Sequence, residues 1–153
     1  MYSKQEASQL RQAFWTAYGQ YMAPLPSAEG EKINWVNYKT GEKGIFFRMQ
    51  ADNKKASIAI EITHAEDNMR RTYHEHFVQL KRSFQEAMNE EWVWTPNAID
   101  EHGKEIGRIY KELAGVSLFR KEEWPAIISF LKQRMIALDA FWNDVKYSFE
   151  ALR

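Results

Sequence analysis

The chain has no cysteine. That excludes disulfide staples and thiol chemistry, and it fits a reducing compartment. Net charge is also lacking, because 21 basic residues balance 21 acidic ones. A general nucleic-acid binder usually carries a basic excess, so any such role here would rest on a local patch. No apolar run approaches the ~20 residues of a spanning helix. The opening Met1-Tyr2-Ser3-Lys4-Gln5-Glu6 has no apolar stretch behind it and does not read as a signal peptide. The expected location is therefore the cytoplasm. Glycine and proline are sparse, at seven and four, and low-complexity tracts are missing, which argues against disorder.

What is abundant is aromatic area. Six Trp, seven Tyr and nine Phe in 153 residues predict an aromatic-rich core. A chain of this length fits one domain, 1–153, and can bury roughly two-thirds of its unfolded surface without staples.

Ser3 with Glu6 reads as a capping box opening a helix. Its stripe is Ala7, Leu10, Phe14, Ala17, Tyr18, Tyr21 and Met22, and Pro24 and Pro26 end it. From Ile33 the apolar period becomes two. The residues from Ile33 to Lys39 read as a first strand, and Thr40 to Gly44 as a turn. Ile45, Phe47, Met49 and Ala51 then share one face of a second strand, and Ile58, Ile60 and Ile62 one face of a third. With Asn53-Lys54 at the tip of the hairpin, Met49 faces Ile58, Phe47 faces Ile60 and Ile45 faces Ile62. A slip of one residue would set apolar against polar along the whole ladder. This register puts Arg48 and Glu61 on the opposite face as diagonal neighbours.

Thr63 with Glu66 reads as a second capping box. The helix behind it carries Met69, Tyr73, Phe77, Leu80, Phe84 and Met88 on one stripe. Trp92-Val93-Trp94 suggests a short strand, and the segment from Thr95 to Lys104 a loop. The segment 105–113 fits both helix and strand templates. Strand is favoured because Gly103, Gly107 and Gly115 punctuate it and a hairpin with Trp92–Trp94 becomes available. Pro125 suits the first turn of a last helix running to Leu152, ~40 Å long and apolar on two sides in part. The order α-β-β-β-α-β-β-α predicts an α+β fold, an antiparallel sheet of about five strands with three helices.

Certain runs carry a family resemblance. They are Ile33-Asn34-Trp35-Val36-Asn37-Tyr38-Lys39-Thr40-Gly41, the stretch from Phe47-Arg48-Met49-Gln50 to Lys54-Lys55-Ala56, Arg108-Ile109-Tyr110, and Glu123-Trp124-Pro125-Ala126-Ile127-Ile128. Together they resemble bacterial proteins grouped as domain of unknown function 4268, over nearly the whole chain. The resemblance implies a stand-alone bacterial protein or a C-terminal module behind nuclease-like domains. It brings no established activity or catalytic residue.

The order α-β-β-β-α-β also matches the core of PD-(D/E)XK nucleases, which hold Mg²⁺ between an acid on the second strand and a Glu-x-Lys on the third. Glu61 is on the third strand, but Thr63 stands where lysine belongs, and the only acid near the second strand is Asp52 in the turn. Glu61 and Asp52 are the catalytic candidates of this alternative reading, against a plain ion pair between Glu61 and Arg48. The four histidines, His64, His74, His76 and His102, lack the spacing of a helical zinc pair. Neither a nucleophile elbow nor a phosphate loop is present. No metal and no cofactor is therefore expected.

Nucleic-acid or partner binding has more material. The outward face of the second strand shows Phe46, Arg48 and Gln50, with Trp35 or Tyr38 expected beside them. Aromatics with arginine on a sheet can stack bases. The turn pair Lys54-Lys55, with Arg70, Arg71, Lys81 and Arg82, could reach phosphates. Aromatic surface beyond the needs of one core, including Trp15 and the two-sided last helix, suggests a protein partner or a homodimer through a sheet face or that helix. The expectation is a non-enzymatic binding or interaction module, accessory to a DNA-processing or defence system.

Overall fold

The computed structural model describes residues 2–153. Helix α1 (Lys4–Met22) opens on the full capping box, with the Ser3 hydroxyl accepting from Glu6 N–H and the Glu6 carboxylate accepting from Ser3 N–H. Its stripe buries Phe14, Tyr18 and Met22, while Tyr21 stays exposed. The predicted strand at Ile33 to Lys39 is not one. Asn34 Oδ1 accepts from the N–H groups of Val36 and Asn37, and this local turn replaces a ladder. The Trp35 indole donates to Leu25 O, and the Tyr38 hydroxyl to Asp139, so the segment is held by side chains.

The sheet therefore has four strands, not five: β1 (Ile45–Ala51), β2 (Lys55–Ile62), β3 (Val93–Ile99) and β4 (Glu105–Ala114). They lie in the order β1-β2-β4-β3, all antiparallel. The β1–β2 register pairs Met49 with Ile58, Phe47 with Ile60 and Ile45 with Ile62, as the apolar pattern demands. At the entry to β1, Gly44 has φ +83°, and a Cβ there would sit 2.5 Å from the His64 ring. Both the left-handed backbone and the close approach require glycine. The segment 105–113 is a strand. Gly107 lies opposite Ile62, and a Cβ on it would press the Ile62 side chain at 3.2 Å. β3 is longer than expected. It continues through a register break between Thr95 and Ala98, at Pro96-Asn97, and leaves only the Asp100–Lys104 turn as loop.

Among the described residues four α-helices, not three, accompany the sheet. The single helix expected over 63–88 is two, α2 (Asp67–Gln79) and α3 (Lys81–Met88), joined at Leu80. The Thr63–Glu66 capping box does not form. Thr63 instead extends the β1–β2 ladder, its N–H and hydroxyl both donating to Gly44 O. The joint at Leu80 lets Phe77 meet Trp142 and Phe149 while Phe84 meets Trp92, Trp94 and Phe141. The last helix is also shorter. α4 (Trp124–Val145) has Pro125 in its first turn, and Lys146–Leu152 tightens into a 3₁₀ helix that turns Phe149 into the core. The main stripe of α4, Ile127, Leu131, Met135, Leu138 and Trp142, is buried there; on its second side Phe141 is buried as well, while Ile136 stays 38% exposed. The core joins these residues to the inward faces of β1, β2 and β4 and to α1. No helix among the described residues is long and apolar enough to cross a membrane.

Candidate functional site

Because the helical core residues meet the inward strand faces, the alternation of each strand leaves a second, open face. It carries Phe46, Arg48 and Gln50 of β1, Ser57, Ala59 and Glu61 of β2, all three of them buried, and Arg108, Tyr110 and Glu112 of β4. A cleft of about 370 Å³ lies on this face. Its floor includes Arg48, Ser57, Glu61 and Arg108, and one wall is the β3–β4 turn with Asp100, Glu101 and His102.

Arg48 Nε stands 3.2 Å from Glu61 Oε1, the diagonal ion pair expected from the register. The Glu61 side chain is only 12% exposed while that of Arg48 is 52% exposed, so the carboxylate anchors a guanidinium that faces solvent. That guanidinium also lies over the Phe46 ring, 4.8 Å from its centre. Arg108 repeats the motif, 4.2 Å over Tyr110. It lies directly across from Glu61 in register, yet no carboxylate among the described residues is within ion-pair distance of it. Two flat cations thus rest on two rings across one sheet, and one of them has no ion-pair contact among the described residues. Lys55 Nζ pairs with Glu112 at 2.8 Å, which holds the lysine pKa above its ordinary value.

The other sequence candidates scatter. Gln50 is exposed on the same face, and Lys54 is exposed in the hairpin turn. Trp35 is a correction. It is buried at 2% exposure in the core, with Tyr38, which stacks on the inward ring of Phe47. Asp52 does not join Glu61. Its Oδ1 accepts from the N–H groups of Lys54 and Lys55, and its own N–H donates to Lys55 O. Glu61 lies six residues beyond Lys55, about 20 Å along the strand. His74 and His76 do point apart: His74 is buried near Trp94, and His76 reaches Ser148 Oγ at 2.7 Å. Arg70 is buried, holding the carbonyls of His64 and Ala65 and the carboxylates of Asp67 and Glu105. Lys81 lies over the Trp94 ring.

Arg108, Tyr110, Glu112 and His102 were missed as site residues. For the three strand residues the signal was present in the alternation Arg108-Ile109-Tyr110-Lys111-Glu112; the turn residue His102 had none. Once Ile109 is known to face inward, its neighbours must face out.

A second polar cluster sits at the opposite end of β1. Glu42 is 6% exposed and accepts from the Tyr73 hydroxyl at 2.9 Å and from the Arg153 fork at 2.9 and 3.2 Å. Burial, then the Glu42 contact, pushes the Tyr73 hydroxyl up to about 12. The His64 ring lies tilted against that of Tyr73, centres 4.2 Å apart, with its Nδ1 buried and unpartnered among the described residues, and His74 Nε2 is likewise buried without a partner. Burial lowers both histidine pKa values from the ordinary 6.5.

The consequence for stability has a definite sign. In the unfolded chain these imidazoles take up a proton as the pH falls through about 6.5, while the folded protein resists. Stability is therefore full above that value and declines below it, down to the depressed folded values. We expect the urea midpoint to fall between about pH 7 and about pH 5. The double variant His64→Gln, His74→Leu should have a visibly flatter profile. A profile of unchanged steepness in that variant would remove the histidines from the account.

No curated protein and no solved structure matches the chain. A family model described as "Domain of unknown function (DUF4268)" matches residues 10–146, and the chain belongs to that family.

Proposed function

We propose that this chain is a non-enzymatic binding module that receives single-stranded nucleic acid across the open face of its sheet. The observation that carries the reading is the pair of arginine–aromatic stacks, Arg48 over Phe46 and Arg108 over Tyr110, with Arg108 in no ion pair among the described residues. A base can stack on the exposed Phe46 ring or on a guanidinium plane. Arg108 offers its donors to a phosphate, and Lys54 at the end of the hairpin offers another cation. The acids Asp100, Glu101 and Glu112 around the cleft oppose a continuous phosphate track, so a short site is expected rather than duplex binding. The chain would then serve as a cytoplasmic accessory to a DNA-processing or defence system, a role that rests on the family resemblance.

The test is titration of labelled single-stranded DNA and RNA at low salt, where phosphate contacts are strongest. Phe46→Ala should cost about 1–3 kcal/mol of binding. Arg108→Ala should weaken binding on every sequence and lower the salt slope by about one unit. Absence of binding at low salt, or affinity left unchanged by both substitutions, would overturn the reading. Mg²⁺- or Mn²⁺-dependent cleavage that disappears in Glu61→Ala would replace it with the nuclease alternative.

A further inference from the structure

The two outer strands of the sheet are not alike. β3 carries Pro96 and a register break between Thr95 and Ala98, both of which spoil it as a template for another strand. β1 has neither. Its seven residues pair with β2 without interruption, and Arg48 is its only charged residue.

The hydrogen-bond phase of β1 identifies what its free edge offers. Thr63 N–H donates to Gly44 O at 2.8 Å, and Asp52 N–H to Lys55 O at 3.0 Å. Even-numbered residues of β1 therefore bond to β2, and the N–H and C=O groups of odd-numbered residues point the other way. Those of Ile45 are occupied, the N–H by Glu42 O and the C=O by the Thr40 hydroxyl. Those of Phe47, Met49 and Ala51 have no partner among the described residues. Three free residues remain, symmetric about Met49.

We propose that a second copy of this chain adds across this edge, antiparallel and centred on Met49, joining the two sheets into one. The register is the alignment that uses the most of these free groups. Hydrogen-bonded pairs must join odd-numbered residues. Centring on Phe47 would need the backbone of Ile45, which is taken. Placing Phe47 opposite Met49 would set Arg48 of one copy directly against Arg48 of the other, a destabilising pair. Centring on Met49 uses all three free residues. It makes about six new main-chain hydrogen bonds and sets Phe47 of one copy against Ala51 of the other on the inward side. On the open side, Arg48 of each copy meets Gln50 of the other. The edge is thus complementary to itself, as a twofold interface requires. The open faces of both copies then run together. The proposal holds whether or not nucleic acid is the ligand.

Sedimentation equilibrium of the full chain tests it. The unaltered protein should dimerise by high micromolar concentration. Met49→Pro removes the central N–H, which the single copy does not use, and should give a monomer. Gln50 is exposed, so its variants spare the fold. Gln50→Arg sets two arginine pairs across the seam and should weaken the dimer about tenfold or more, while Gln50→Glu should tighten it several-fold. A monomer at high micromolar concentration, or a dimer that none of the three variants changes, would overturn the proposal.

Discussion

Trp142→Ala should cost about 3–5 kcal/mol of folding stability. The side chain is 2% exposed, at the meeting point of three elements. Its ring lies 5.8 Å from Phe47 of β1, 6.3 Å from Phe77 of α2 and 5.1 Å from Phe149 of the terminal 3₁₀ helix. Truncation would open a cavity walled by rings, which cannot collapse without losing their own edge and stacked contacts. The indole N–H also donates to Thr40 O at 2.7 Å, and Thr40 Oγ1 in turn donates to Ile45 O at 2.8 Å. Trp142 thereby holds the turn that leads into β1. Trp142→Phe keeps most of the apolar area but leaves Thr40 O without its donor, so it should cost less than the alanine variant. Urea titration should show a lowered midpoint at unchanged slope. A loss below about 1 kcal/mol for the alanine variant would contradict the packing account.

The same residues show why some of the fold was legible in the sequence. The β1–β2 register could be read because only one alignment keeps Ile45, Phe47 and Met49 opposite Ile62, Ile60 and Ile58. The Arg48–Glu61 pair came with it. The residues from Ile33 to Lys39 misled for a local reason. Their alternation of large and polar side chains matches a strand, but the Asn34 amide oxygen, the Trp35 indole and the Tyr38 hydroxyl each find partners outside a ladder. Alternation records which side chains are apolar and is silent on where their polar atoms bond. The strand order β1-β2-β4-β3 was illegible too. Without it, Arg108 could not be placed opposite Glu61, and half of the candidate face stayed hidden.

Asp139 is the residue whose role the sequence concealed most fully, and Asp139→Ala should cost about 3–6 kcal/mol. An acid between Leu138 and Ala140 on a long helix reads as one of its solvated positions. It is in fact 5% exposed. One carboxylate oxygen accepts from Ala28 N–H at 2.7 Å and the other from the Tyr38 hydroxyl at 2.5 Å. Two points of the connection between α1 and β1 are therefore tied to one side chain of α4, and the residues between them, Trp35 included, are drawn onto the core. Burial, reinforced by this carboxylate, raises the Tyr38 pKa far above its ordinary value, so the hydroxyl keeps its proton and acts as a donor. Hydrogen bonds to a charged group contribute about 1.5–3 kcal/mol each, and alanine would remove two while leaving the donors without an acceptor. Asp139→Asn retains an oxygen for Ala28 and an amide for the Tyr38 oxygen, so its loss should be smaller. Tyr38→Phe combined with Asp139→Ala should cost less than the sum of the single changes, because the pair acts as one contact. Hydrogen exchange gives the local readout: the Ala28 amide should be protected in the unaltered protein and exposed in Asp139→Ala. Protection that survives the substitution, together with a loss below about 1 kcal/mol, would mean that the segment is held by its aromatic packing alone.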